Sequence, residues 1–231
     1  MKYLISGALL IAICSTSFSQ SNEMQENLAI LKQNLSTSKE NIKKYEWIET
    51  TTTFVKGEEK SKKQHQCYYG VDGKLTKVET GGSTAAEKSK RGLRGKAIEN
   101  KKEDMAEYIE AAIKKIHTYL PPEAEKLQQI YGAGKSAIHI MVPGKKFKLD
   151  FPDYNQQGDM LSITLDKEKK VILAIAVNTY IDKPDEKVNF AIAYSGLPDG
   201  TQYPGTTTLE ATEKNVKIVI VNSGHKKAAA Q

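Results

Sequence analysis

Two periodicities divide this chain. One is a period of two, clearest in "VILAIAVNTYID" (171–182) and "VNFAIAY" (188–194); "SAIHIMV" (136–142), "KFKLDF" (146–151), "MLSITLD" (160–166) and "TTTLEA" (206–211) are further strand-like runs, and "VKIVIVN" (216–222) has apolar residues on both sides. That period belongs to strands. The segments between them, among them "PGK", "NQQGD", "DKEKK", "KPDEK" and "LPDG", are polar and of hairpin length. Earlier, "YEWIETTTTFV" (45–55), "KSKKQHQCYYG" (60–70) and "KLTKVET" (74–80) are rich in β-branched and aromatic residues and form a further meander. About ten strands are expected, all antiparallel because each turn is short.

The second period is helical. Residues 23–44 carry Leu28, Leu31, Leu35 and Ile42 on one face, with Thr37 and Glu40 spaced as a capping box that predicts a break near Ser36. "AIENKKEDMAEYIEAAIKKIHTYL" (97–120) sets Met105, Ile109, Ile113 and Ile116 on a stripe, and Pro121 and Pro122 end it. A short helix follows, opened by proline and closed by glycine, over 121–134. Between the early strands and the long helix, "TGGSTAAEKSKRGLRGK" (80–96) is small, basic and glycine-bearing, and predicts a mobile loop.

The alternation also speaks of burial. In "VILAIAVNTYI" one side carries Val171, Leu173, Ile175, Val177 and Ile181, and the other Ile172, Ala174, Ala176, Asn178 and Tyr180. "VNFAIAY" repeats the pattern with Val188, Phe190, Ile192 and Tyr194 against Asn189, Ala191 and Ala193. An antiparallel sheet open to water usually keeps one polar face. Here the second face is small and apolar, so it too is expected to be covered, yet the chain has few helices. A large antiparallel sheet curls. The expected fold is α+β: a curved antiparallel sheet of about ten strands, a half-open barrel, with helices packed on the concave side. A concave apolar surface under helices can hold an acyl chain. Its candidate lining is Trp47, Phe54, Leu173, Ile175, Val177, Phe190, Ile192, Tyr194, Ile218 and Ile220. The alternative is that helices fill that surface as ordinary core.

The N-terminus changes the compartment. Lys2, the apolar run "YLISGALLIAIC" and the small residues Ser17 and Ser19 have the anatomy of a signal peptide over 1–19, with residues 20–231 as one domain. Ile13 before Cys14 argues against a lipobox. No other run is long and apolar enough for a membrane span. A periplasmic or secreted location is expected, and Cys67 is then the one remaining thiol, leaving no internal disulfide. The net charge of +6 becomes +5 without the leader, which carries Lys2 and no acid. On an exported protein this points to anionic membrane surfaces, through Lys88, Lys90, Arg91, Arg94 and Lys96 of the basic loop, before nucleic acid. That loop has no interleaved aromatics for bases to stack on.

Other chemical signals are weak. "GAGKS" (132–136) has Gln129 where a phosphate loop needs glycine, and it follows a helix instead of a strand, which excludes nucleotide binding. The four histidines lack zinc spacing, and no cofactor or metal is called for. His139 reads as a hydrogen-bonded core residue. Cys67 and His65 point the same way on a strand, but without a third orienting group they read as a half-buried thiol and its neighbour, and no enzyme is expected.

In element order the mature chain resembles the periplasmic lipoprotein-carrier (LolA-like) superfamily. The resemblance is carried by "GDMLSITLDKEKKVILAIAVNTY" and "VNFAIAYSGLPDGTQYPGTTTLEATEKNVKIVIVNSG", with Asp166 before a turn, Asp199–Gly200, Pro204 and the closing Asn222. It implies an unclosed barrel with a helical lid, binding a lipid or a lipoprotein acyl chain without catalysis. The arginine that such carriers place on an early strand to latch the lid has no match here. A cell-envelope interaction module of the same fold, its core filled, is the second reading.

Overall fold

The computed structural model describes residues 32–84 and 93–228. Residues 1–31, with the expected leader and with Leu28 and Leu31 of the expected first helix, residues 85–92, with Lys88, Lys90 and Arg91, and residues 229–231 lie outside them. Helix α1 occupies 32–41 and passes through a 3-10 turn, Ile42–Lys44, into the sheet. The strands are β1 (Tyr45–Val55), β2 (Glu58–Tyr69), β3 (Leu75–Thr84), β4 (Ala137–Val142), β5 (Lys146–Pro152), β6 (Met160–Asp166), β7 (Val171–Tyr180), β8 (Lys187–Gly196), β9 (Gln202–Ala211) and β10 (Val216–Lys227). Helices α2 (Leu93–His117) and α3 (Ala124–Gly132) fall between β3 and β4.

All ten strands form one antiparallel sheet in the order β3-β2-β1-β10-β9-β8-β7-β6-β5-β4. It is a meander whose first and last strands, β1 and β10, meet in the middle. The ends, β3 and β4, do not pair with each other, so the sheet stays open. Turn chemistry sets the register. Lys56 and Gly57 link β1 to β2 with φ of 53° and 79°, the left-handed pair that suits a two-residue hairpin.

One face of the sheet carries the core. Register aligns Leu149, Ile163 and Ile175 in one row and Phe151, Leu161 and Val177 in the next. Tyr108, Ala112 and Ile116 of α2, Tyr119 just beyond it and Leu127 of α3 belong to the same buried cluster. Leu35 of α1 packs on it, and buried Ser38 accepts a hydrogen bond from the Gln202 amide at 3.0 Å. This face is called the helix face below, and the other the outer face.

The structure departs from the sequence reading in four places. First, α1 runs unbroken through Ser36 and Thr37, so the expected capping break is absent. Second, α2 is rotated. Its buried stripe is Tyr108, Ala112 and Ile116, while Ile113 is 41% exposed. Alanine at the contact lets the helix come close to the sheet, and the flanking tyrosines supply apolar area. Third, the expected loop over 80–96 loses both ends to regular structure, because β3 continues to Thr84 and α2 begins at Leu93. A Cβ on Gly82 would stand 2.5 Å from the Lys62 carbonyl oxygen, so this glycine marks close strand approach and not a loop. Fourth, the outer face is not covered over β8, where Ala191 and Ala193 are exposed, as is Asn178 on β7. Alanine has so little apolar area that leaving it in water costs little at about 25 cal/mol per Å2.

Candidate functional site

The helix face changes character along its rows. One row reads Ile175, Ile192, Thr207, Ile220, Thr51 and Lys63 from β7 to β2. The next reads Val177, Phe190, Leu209, Ile218, Thr53 and Ser61. Under the helices the rows are closed, with Ile175 and Val177 fully packed. Phe190, Ile192, Ile218 and Ile220 are half-buried. Beyond β10 the face is polar: Thr51 and Thr53, then Glu49, whose carboxylate takes Lys77 Nζ at 2.7 Å. Half-buried apolar residues therefore lie side by side as a strip on β8–β10, around the buried Leu209.

The ten lining residues expected from sequence separate accordingly. Phe190, Ile192, Tyr194, Ile218 and Ile220 form the strip, with Thr207 between Ile192 and Ile220, while Leu209, between Phe190 and Ile218, is buried in the core cluster. Burial in apolar surroundings pushes the Tyr194 hydroxyl upward in pKa. Ile175 and Val177 are core. Leu173 is the extra residue where Thr164 pairs with Ala174 and Leu165 with Ile172. That bulge turns Ile172, expected on the outer face, into the buried cluster. Phe54 stands on the outer face, because seven residues separate it from Trp47 and an odd spacing reverses a strand side chain. It lines instead a groove of about 680 Å3 at the turn end of β1, β9 and β10, with Lys56, Glu210 and Lys217. The sequence reading treated "TTTLEA" only as a strand and so missed Leu209. Its signal was the alternation of Thr207, Leu209 and Ala211.

Trp47 closes the strip at the far end of the face. Its ring stacks on His225 at 5.7 Å and 10°, and His225 lies 3.9 Å from the Tyr203 ring. Trp47 Nε1 donates to Asn222 Oδ1 at 3.0 Å, and Asn222 Nδ2 donates to the Pro204 carbonyl at 2.8 Å. Burial holds the His225 imidazole below its ordinary pKa. Beside this group the Tyr45 hydroxyl donates to Asp199 Oδ2 at 2.7 Å, and the Thr201 amide donates to Oδ1 at 3.0 Å. These hydrogen bonds, Tyr45's above all, pull the Asp199 carboxyl down to about 2.

The remaining candidates resolve individually. Cys67 is fully buried, not half-buried, and burial raises its pKa. A closed, protonated thiol is a poor nucleophile. His139 is exposed on the edge strand, not in the core, with Nε2 at 2.9 Å from Asp150. "GAGKS" follows the C-terminus of α3, where Gly134 has a φ of 68°, so its amides end a helix instead of opening one around a phosphate. Among the described residues no helix is long and apolar enough to cross a membrane, and no group of side chains could hold a metal ion.

No family model matches the chain, and no curated protein matches it. A solved structure of a DUF1329 family protein from Desulfovibrio piger aligns with a TM-score of 0.32 and 9% identity, over 87% of this chain and 94% of that one. A likeness at that score carries no argument about this chain.

Proposed function

We propose that this is an exported, non-enzymatic binding protein that shelters an apolar ligand, a lipid or a lipoprotein acyl chain, against the strip on β8–β10. In this reading the open sheet bends as a half-barrel around its helices, and the strip lies on the concave side. The carrying observation is the row geometry. Phe190, Ile192, Tyr194, Ile218 and Ile220 are apolar and only half-buried, side by side on neighbouring strands around the buried Leu209. A polar margin would need no guest, and a closed core would admit none. Export rests on the leader pattern over residues 1–19. Lys88, Lys90, Arg91, Arg94 and Lys96 supply a cationic contact for an anionic membrane in the same reading.

The test is native mass spectrometry of the purified protein, before and after incubation with a fluorescent fatty-acyl probe. One bound probe per chain, displaced by unlabelled fatty acid and lost in Ile192→Glu, supports the reading. A clean apo mass with no uptake overturns it.

A further inference from the structure

The sheet's last strand is unusually bare. Every residue of β4 is exposed, with Ile138 at 51%, Ile140 at 65% and Met141 at 58%. One side of β4 bonds to β5. Among the described residues no strand lies beside the backbone N–H and C=O groups of the other side. Exposed edges are usually blunted by charge, proline or a bulge. The opposite edge, β3, carries Lys77, Glu79 and two glycines. The β4 sequence AIHIMV has no proline, no glycine and no lysine, and its one irregularity is a bulge between Ile140 and Val142.

The side chains of β4 extend the core. Ile138 faces Leu149, which faces Ile163, and Ile140 faces Phe147, which faces Leu165. Both rows run from the buried cluster to an open end at β4. A strand laid along β4 would continue them, bonding through its backbone and adding apolar side chains at alternate positions.

Charge selects the occupant. Lys135 precedes the strand, Lys145 follows it in the turn, where it also pairs with Glu168, and Lys146 opens β5. Nearby carboxylates are engaged: Asp150 takes His139, Lys148 and Ser162, and Glu168 takes Lys145. A second copy of this chain fits poorly. Symmetric antiparallel pairing about Ile140 sets Lys135 against Lys145, and pairing about His139 sets His139 against its own copy. We propose that β4 is a docking edge for an extended peptide segment of another protein, apolar at alternate positions and acidic at both ends. The proposal is independent of the apolar-ligand reading, since β4 lies four strands from β8.

Two labelled peptides of about eleven residues, long enough to span Lys135 to Lys145 in extended form, test it by fluorescence anisotropy on the full chain. Both alternate valine and threonine, one ending in glutamates and the other in lysines. The acidic peptide is expected to bind, with affinity falling as salt rises, and the lysine peptide to bind roughly tenfold or more weakly. Ile140→Lys, at an exposed position, is expected to abolish binding with an unchanged Tm and unchanged uptake of the acyl probe. Lys135→Glu should narrow the preference between the peptides. Equal binding of both peptides, binding unaffected by Ile140→Lys, or no binding of either overturns the proposal. So does a dimer in sedimentation that Ile140→Lys dissociates, because a second copy would then hold the edge.

Discussion

Replacing isoleucine by alanine at two points of one row tests whether the strip is open. Ile175 and Ile220 lie in the same cross-sheet row, three strands apart, one buried in the core and one half-buried. Each substitution removes three carbons. At Ile175, fully packed, the loss combines transfer with a cavity and is expected to cost about 3–4 kcal/mol, within the range for buried aliphatic truncations. At Ile220, half-buried, full transfer of three carbons at about 0.8 kcal/mol each would give about 2.4, and roughly half of that applies. No cavity forms if solvent can enter, so the expected cost is about 1 kcal/mol. The sites stand about 14 Å apart at the usual strand spacing, so the double variant should be additive within about 0.5 kcal/mol. Urea denaturation followed by Trp47, the sole tryptophan, reads all three, with the urea dependence unchanged. Saturating acyl probe, at about a hundred times its Kd, should stabilise the wild type by about 2.7 kcal/mol, and Ile220→Ala should shrink that increment. If Ile220→Ala costs as much as Ile175→Ala, Ile220 is packed on every side, and the argument from an open strip fails.

Further outcomes follow from single contacts. Tyr119, fully buried, donates to Asp159 Oδ2 at 2.5 Å beside the Asn155 and Gln156 amides. Tyr119→Phe should therefore destabilise by about 2 kcal/mol, the scale of a hydrogen bond to a charged group, and a urea midpoint equal to the wild type's would contradict it. The Asp199 carboxyl falls from an ordinary 3.8 to about 2 on folding, so it adds stability above pH 4 that is lost as pH drops through 2. Thermal melts of Asp199→Asn should show a flatter acid limb across that window. The Trp47 fluorescence should titrate with a midpoint below 6.5, the ordinary value for a histidine such as His225, and His225→Gln should remove the transition. Cys67 should resist a thiol reagent until urea unfolds the chain, and labelling at the rate of a free thiol in native buffer would disprove its burial.

The strands were legible because period and turn agree. Each alternating run ends in a polar segment with proline, glycine or a charge cluster, so all ten were marked by local chemistry. What local chemistry cannot show is phase across an irregularity. The bulge at Leu173 brings Ile172 to the helix face, and nothing within "VILAIAV" announces it, because the deciding partner is Leu165 on β6. The rotation of α2 is hidden for a similar reason. Isoleucine and alanine compete for one contact, and the sheet selects alanine for closeness. Phe54 was different, since its odd separation from Trp47 placed it on the outer face from the sequence itself. The polar half of the helix face was not legible, because the run Thr50 to Thr53 offers the same side chain to both faces.

The residues that carry the resemblance to lipoprotein carriers explain why fold is easier to read here than function. Asp166 accepts the Lys169 amide at 3.0 Å and shapes the turn into β7. Asp199 holds Tyr45 across 154 positions, and Gly200 turns with a φ of 84°. Pro204 and Asn222 join β9, β10 and Trp47 through one side chain. Every one of them fastens a turn or a strand seam, and none belongs to the strip on β8–β10. Such a set would serve equally over a filled core or over a guest. Specificity must then reside at positions where the sheet needs only some β-forming residue, as at Ile192, Thr207 and Ile220. Exchanging isoleucine and threonine within that row keeps strand propensity nearly constant while altering the surface a ligand would meet. Ile192→Thr and Ile220→Thr together should therefore preserve the cooperative unfolding transition and weaken acyl-probe uptake, and undiminished uptake would move the binding surface elsewhere.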